Sequence, residues 1–144
     1  MSDADRDFLA NQKFEAGNKL AYAKDYNGAI NLYNEALEFG EYAEAYNNRG
    51  NAYQGLQQYE RAILDFDKAI ELNPNDSDAY NNRGVAYALS GQYERAIQDF
   101  DKAIELNPNL SKAYQGRGIC YGTMGYEAKA QADYDKAQQL GFND

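Results

Sequence analysis

The residues best suited to chemistry in this sequence are amides and arginines that recur together. The phrase AYNNRG occupies residues 45–50 and returns at 79–84, and a variant, AYQGRG, stands at 113–118. A side-chain amide both donates and accepts hydrogen bonds, so a row of amides matches the alternating N–H and C=O groups of a peptide backbone. An arginine guanidinium pairs with carboxylate or phosphate. The recurring phrase therefore indicates either a binding surface or a scheme of internal bonds.

The arginine of each phrase is followed sixteen residues later by an aspartate. The first part of the chain lacks both, since Ala16 and Leu32 stand at the matching positions. This joint absence predicts structural ion pairs, which would be Arg49 with Asp65, Arg83 with Asp99, and Arg117 with Asp133. A second row, two residues further on, offers alternative partners: Asp67, Asp101 and Asp135. An arginine row that binds phosphate or carboxylate ligands is the functional alternative.

Composition removes most other kinds of chemistry. The chain has no histidine, so the usual general base near neutral pH and the commonest metal ligand are both missing. One cysteine permits neither an intramolecular disulfide nor a cysteine cage for zinc. A net charge of −9 disfavours nucleic acid and anionic membranes, which need a cationic face. We therefore expect a protein that is not an enzyme, with no metal or cofactor and no nucleic-acid partner.

The sequence has neither a signal peptide nor an apolar run long enough to span a membrane, and both features bear on the location of the protein. The first twelve residues have neither the basic nor the apolar part of a signal peptide. No apolar run reaches the roughly 20 residues that cross a bilayer. We expect a cytoplasmic protein that does not insert into membranes.

A period of 34 residues organises the chain. Residues 43–76 and 77–110 agree at 25 of 34 aligned positions without a gap. The frame continues to the last residue, and it extends towards the N-terminus with one residue missing. The predicted organisation is a leader, 1–9, and a single domain, 10–144, built from repeats 10–42, 43–76, 77–110 and 111–144.

Each repeat has the periodicity of two helices. The first half carries a helical stripe of alanine and tyrosine, and the second half one of alanine, isoleucine and phenylalanine. Pro74 and Pro108 end the second helix, because the residue before a proline leaves the helical region. Ser77 and Ser111 then stand where a serine would cap the next helix.

The spacing of the small and aromatic residues resembles the tetratricopeptide repeat (TPR). The residues that carry the resemblance are Tyr46, Gly50, Tyr53, Ala62, Phe66, Ala69 and Pro74 and their copies. It implies an all-α fold, a right-handed α-solenoid of antiparallel helix pairs coiled into a superhelix. It also implies a concave groove, lined by the first helix of each pair, that binds a peptide segment of a partner protein.

The groove positions of the repeat contain an amide ladder and, further along the chain, apolar residues. Asparagine is a poor helix former, so repeating it within helices favours a use in binding, although it could also merely solvate a polar face. The predicted groove residues are Asn18, Asn47, Asn48, Asn51, Asn81, Asn82, Val85, Leu89, Gln115 and Ile119.

Two other functions compete with this one. Some TPR domains hold an acidic chaperone tail in a carboxylate clamp; Asn18 and Asn48 match its asparagines, but Phe14, Asp78 and Asn82 replace its cations. A neutral or basic partner is therefore expected. The rival is a scaffold that self-assembles into a homo-oligomer through its convex face or its ends, to which aromatic residues near the termini would contribute: Phe8, Tyr126 and Phe142.

Overall fold

A computed structural model describes residues 1–141, which form eight helices and no strand. Short turns join the helices. Their bounds are α1 Asp3–Tyr22, α2 Tyr26–Leu37, α3 Ala43–Gly55, α4 Tyr59–Leu72, α5 Ser77–Leu89, α6 Tyr93–Leu106, α7 Ser111–Thr123 and α8 Glu127–Gln139. The predicted all-α class is confirmed.

The helices belong to two compact units, Met1–Pro74 and Asn75–Asp144. In the first unit α1 packs on α2, α2 on α3, and α3 on α4; in the second, α5 to α8 follow the same order. Helix α1 is 20 residues long, against 12 to 14 for the others, because it includes most of the predicted leader. The division into a leader and one domain of four repeats stays a prediction.

Glycine at one repeat position lets the two helices of each pair approach closely. A methyl group on Gly50 would lie 2.7 Å from Cε1 of Phe66, closer than real carbon atoms come. The same contact joins Gly17 to Tyr33 at 2.7 Å, Gly84 to Phe100 at 3.0 Å and Gly118 to Tyr134 at 2.7 Å. The ring therefore takes the place that a side chain would occupy on the first helix.

The turn within each helix pair passes through the left-handed region at one fixed position. Gly91 (φ 83°) and Gly125 (φ 89°) adopt this conformation without a side-chain penalty. Lys24 (φ 64°) and Gln57 (φ 61°) adopt it in the first unit, where a Cβ makes it strained.

The prediction that Ser77 and Ser111 cap helices is wrong. Both serines are the first residues of their helices, one position too late to act as caps. Asp76 caps α5, and its Oδ1 accepts a hydrogen bond from the backbone N–H of Asp78 at 3.0 Å. At α7 the cap position holds Leu110, which has no side-chain acceptor.

Small apolar residues fill the space between the helices. In the second unit Cys120 is buried beside Phe100, and burial raises the pKa of its thiol to about 11. None of the described helices is both long and apolar enough to span a membrane.

Two glycines of α7 test whether the close approach determines stability. Gly118→Ala should lower the free energy of unfolding by about 1–3 kcal/mol, because the methyl group would overlap the Tyr134 ring. Gly122→Ala is the matched control, since its nearest neighbour is Tyr134 Oη at 3.5 Å, and it should be neutral or stabilising by roughly 0.5–1 kcal/mol. Urea unfolding of both variants measures the difference, and equal effects would contradict the packing argument.

Candidate functional site

Each repeated arginine donates two hydrogen bonds to the aspartate sixteen residues later. Arg49 donates from Nε and Nη2 to the two carboxylate oxygens of Asp65, at 2.9 and 2.7 Å. The pairs Arg83–Asp99 and Arg117–Asp133 repeat this geometry at 2.8 and 2.7 Å. Each aspartate side chain is only 7% exposed. This two-pronged contact joins the two helices of a pair.

The second aspartate row also takes part, but it contacts the arginine of the following repeat. Arg117 donates from Nη1 to Asp101 at 2.9 Å. Arg49 makes the corresponding bond to Asn34, at 2.8 Å. Asn34 occupies the repeat position of Asp101, one repeat before the arginine that it contacts. The donors of Arg49 and Arg117 are thus bonded within the chain, which leaves little for a ligand.

Burial and pairing act in opposite directions on these groups. Burial raises the pKa of the Asp65 carboxyl, and the Arg49 guanidinium opposes that rise. The hydrogen bond to Asp65 in turn raises the pKa of Arg49, and burial opposes this rise. The pKa of Arg117 is raised more strongly, first by Asp133 and then, after an opposing effect of burial, by Asp101.

Two predicted groove residues, Asn18 and Asn48, meet in the first unit. Asn18 Oδ1 accepts hydrogen bonds from Tyr33 Oη at 2.6 Å and from Asn48 Nδ2 at 2.9 Å. This amide cluster, Asn18, Tyr33 and Asn48, links α1, α2 and α3. Within residues 1–141, Asn18 Nδ2 and Asn48 Oδ1 make no hydrogen bond, and Asn51 lies exposed one turn further along α3. The amides therefore stabilise the helix packing with some of their atoms and leave others unbonded within the described residues.

An open pocket of about 390 Å³, which we call the groove pocket, lies beside the amide cluster. Tyr22 is 94% exposed at its edge. Tyr26 packs against the backbone at Gly55, where a methyl group would lie 2.5 Å from Cζ of the tyrosine. The lining residues are Asn18, Ala21, Tyr22, Tyr26, Tyr33, Asn48, Asn51 and Ala52. The pocket thus combines amides with aromatic surface.

Tyr33 forms part of the pocket wall in its neutral form. Burial raises the pKa of Tyr33 to about 12, the charge of Glu15 adds to the rise, and the neighbouring Asn48 amide opposes it. A neutral phenol keeps its O–H, which the bond to Asn18 requires.

The second unit carries the remaining predicted residues. Val85 and Leu89 lie one turn apart on α5, and Ile119 lies on α7, which contacts α5. Leu89 and Ile119 are about half exposed, and Val85 packs against the core. Asn81 is only 4% exposed, and among the described residues its Oδ1 has no hydrogen-bond partner. Asn82 and Gln115 are half-buried on their helices, and Asn47 is half-buried on α3 in the first unit.

Tyr26 and Tyr33 were not among the predicted groove residues, because those lie only on the first helix of each pair. A signal was present for Tyr26, since tyrosine opens the second helix at three equivalent positions: Tyr26, Tyr59 and Tyr93.

The fold is that of a helical-repeat solenoid. Models described as tetratricopeptide repeat match residues 43–76, 77–110 and 100–139. The chain belongs to the tetratricopeptide repeat family, as its spacing predicted.

Solved structures and curated relatives agree with this assignment. The crystal structure of MamA superposes with a TM-score of 0.84 and 27% identity, over 91% of this chain and 77% of that one. The first TPR domain of Spaghetti (RPAP3), bound to the HSP90 peptide SRMEEVD, has a TM-score of 0.79 and 27% identity, over 82% and 94%. Sperm-associated antigen 1 of Rattus norvegicus is 38% identical over 74 residues, which are 51% of this chain and 8% of that protein.

A double-mutant cycle on Arg49 and Asp65 measures the ion pair. Asp65→Ala should lower the free energy of unfolding by about 3–5 kcal/mol, because it leaves a half-buried guanidinium without its main partner. The coupling energy with Arg49→Leu should reach about 1–3 kcal/mol. The exposed pair Lys13–Glu35, at 3.7 Å, serves as the control and should couple by less than about 1 kcal/mol. Equal coupling in the two pairs would exclude the role given to the buried one.

High pH should destabilise the protein through Tyr33. Its phenol ionises near pH 10 in the unfolded chain and near pH 12 in the folded one, so its contribution is complete below pH 10 and is lost between pH 10 and 12. Between pH 9 and 11.5 the native protein should lose about 2 kcal/mol more unfolding free energy than Tyr33→Phe. Urea titrations at both pH values measure this, and parallel losses would refute it.

Proposed function

We propose that this chain is a non-enzymatic interaction module that binds a peptide segment of a partner protein in the groove pocket. The observation that carries the proposal is the meeting of Asn18, Asn48 and Asn51 with the exposed aromatic surface of Tyr22 and Tyr26. Amides can bond the backbone of any peptide, and the tyrosines supply contact area for its side chains.

The strength of binding depends on more than the amides. A hydrogen bond contributes only about 0.5–1.5 kcal/mol net, whereas micromolar affinity needs about 8 kcal/mol. Tyr22, which is 94% exposed at the edge of the groove pocket, supplies apolar surface for ligand side chains. Such surface contributes roughly 25 cal/mol for each Å² that a ligand covers.

The charge of the site favours a neutral or basic partner. Lys112, in the first turn of α7, already contacts Asp78 at 3.0 Å. The Spaghetti domain binds an acidic HSP90 peptide, but in this chain Phe14, Asp78 and Asn82 stand where a carboxylate clamp needs cations. An acidic tail would therefore meet an acidic protein with few compensating charges.

Self-assembly remains the second candidate function, and exposed aromatic residues favour it. Phe8 is 63% exposed and Tyr126 is 52% exposed. Phe142, which the sequence analysis grouped with them, lies outside the described residues. Sedimentation velocity separates the two functions, since assembly requires a mass that rises with concentration.

A substitution of Asn51 tests the groove pocket, because this side chain is exposed and makes no hydrogen bond within the described residues. A peptide-library selection on the native protein should enrich a shared motif. Asn51→Ala should weaken the selected peptide about 2–10-fold, with little change in melting temperature. Asn31→Ala, an exposed asparagine on α2, is the control and should bind normally.

The same peptide should bind more tightly than SRMEEVD in fluorescence anisotropy. If Asn51→Ala and Asn31→Ala enrich the same motif with equal affinity, the groove pocket is not the binding site. Tighter binding of SRMEEVD would favour the chaperone-tail function instead.

A further inference from the structure

A second pocket lies in the first unit, apart from the groove pocket. It has a volume of about 280 Å³ and is formed by the N-terminal part of α1, the end of α2 and the start of α3. We call it the leader pocket because Asp7, from the predicted leader, helps to form it. Its lining residues are Asp7, Ala10, Asn11, Phe14, Ala36, Tyr42, Glu44 and Ala45.

The inner surface of the leader pocket is apolar. Ala10, Ala36 and Ala45 are at most 4% exposed, so their methyl groups form the base of the pocket. The rings of Phe14 and Tyr42, which are partly buried, add aromatic surface. The volume lies just below the roughly 300–1,000 Å³ of small-molecule sites, a size that suits one side chain rather than a whole ligand.

Two carboxylates contribute the charge of the pocket. Asp7 Oδ1 accepts a hydrogen bond from Tyr42 Oη at 2.7 Å, which fixes this carboxylate on the turn before α3. Glu44 is exposed in the first turn of α3. Neither forms an ion pair with a lysine or arginine in the part of the chain that the structure describes. The pocket therefore holds negative charge that the protein itself does not neutralise.

The surroundings reinforce this charge. The residues from Met1 to Pro74 include thirteen acidic and seven basic side chains, a net charge of −6. The nearby cations are engaged elsewhere, since Arg6 pairs with Asp3, and Lys13 lies 3.7 Å from Glu35. Arg6 also acts electrostatically on Tyr42 in the pocket lining, but its charge is partly offset by Asp3, so a positive group that enters still meets a net negative site.

We infer that the leader pocket binds a lysine or arginine side chain of the partner segment, an inference that rests on the proposed peptide-binding function. The aliphatic stem lies along Ala10, Ala36 and Phe14, and the charged head reaches Asp7 and Glu44. Basic side chains suit such a place because they bury an apolar stem while the head stays near water. A purely apolar side chain would desolvate the carboxylates without pairing them, and an acidic one would be repelled.

The test compares two charge-neutralised proteins of equal net charge. Asp7→Asn with Glu44→Gln removes the pocket charges and keeps an oxygen to accept the Tyr42 bond. Glu38→Gln with Glu60→Gln removes two exposed carboxylates that do not line the pocket. The native protein should enrich peptides with lysine or arginine at a fixed position. Replacing that residue with norleucine should weaken binding about fivefold or more on the native protein and the control, but little on the pocket variant.

The outcomes separate this inference from the function on which it rests. A shared motif without a fixed basic residue overturns the leader pocket and leaves peptide binding intact. Equal weakening of the basic peptide on both neutralised proteins also overturns it, because the attraction is then general. If the native protein enriches no peptide, the proposed function is wrong. Binding to the leader pocket is then tested directly with a small ligand. Blocked lysine, but not blocked norleucine, should shift the methyl NMR signals of Ala10 and Ala45; equal or absent shifts would reject the site.

Discussion

The structure depends on an aromatic ring that packs closely against helix backbone where a glycine leaves room for it. In the pair α3–α4 the ring is Phe66 and the glycine is Gly50, and every pair repeats the arrangement. Contact at this distance brings the neighbouring residue on the first helix, Arg49, within reach of Asp65 on the second. A larger residue in place of the glycine would separate the helices and break both the packing and the ion pair. This explains why the phrase RG recurs as a unit.

The amides at the groove positions also hold helices together, which limits the hydrogen-bonding atoms that they leave unbonded. Asn18 and Asn48 bond each other, and Tyr33 completes the cluster, so part of their hydrogen-bonding capacity stabilises the junction of three helices. Within residues 1–141, Asn18 Nδ2, Asn48 Oδ1 and the whole amide of Asn51 remain unbonded. Asn81 differs from these amides, since it is buried and its Oδ1 accepts no hydrogen bond within residues 1–141. An asparagine at a groove position is therefore not equivalent from one repeat to the next.

The sequence was sufficient to predict features that repeat, and insufficient for those that arise once. The 34-residue frame predicts the helix pairs and the family of the chain. It also predicts the aspartates sixteen residues after Arg49 and Arg117 as their partners, because equivalent positions meet equivalent neighbours. The bond between Asp101 and Arg117 was not predicted, because Asp101 contacts the arginine of the next repeat rather than the arginine of its own repeat. The leader pocket could not be found, since it requires Asp7 to lie on a helix that continues unbroken into the first repeat. The Asn18–Asn48 bond depends on how α1 approaches α3, which a repeat pattern does not specify.

The left-handed turn has a consequence for how stability is distributed along the chain. A residue with a side chain in this conformation costs roughly 1–2 kcal/mol, and glycine avoids that cost. Both turns with the cost, at Lys24 and Gln57, lie in the first unit, which also contains the two pockets, whereas Gly91 and Gly125 relieve the turns of the second unit. Local opening should therefore begin at the hairpins of residues 1–74, and amide hydrogen exchange would be faster there. The unit that contains both pockets is thus the unit that opens most easily.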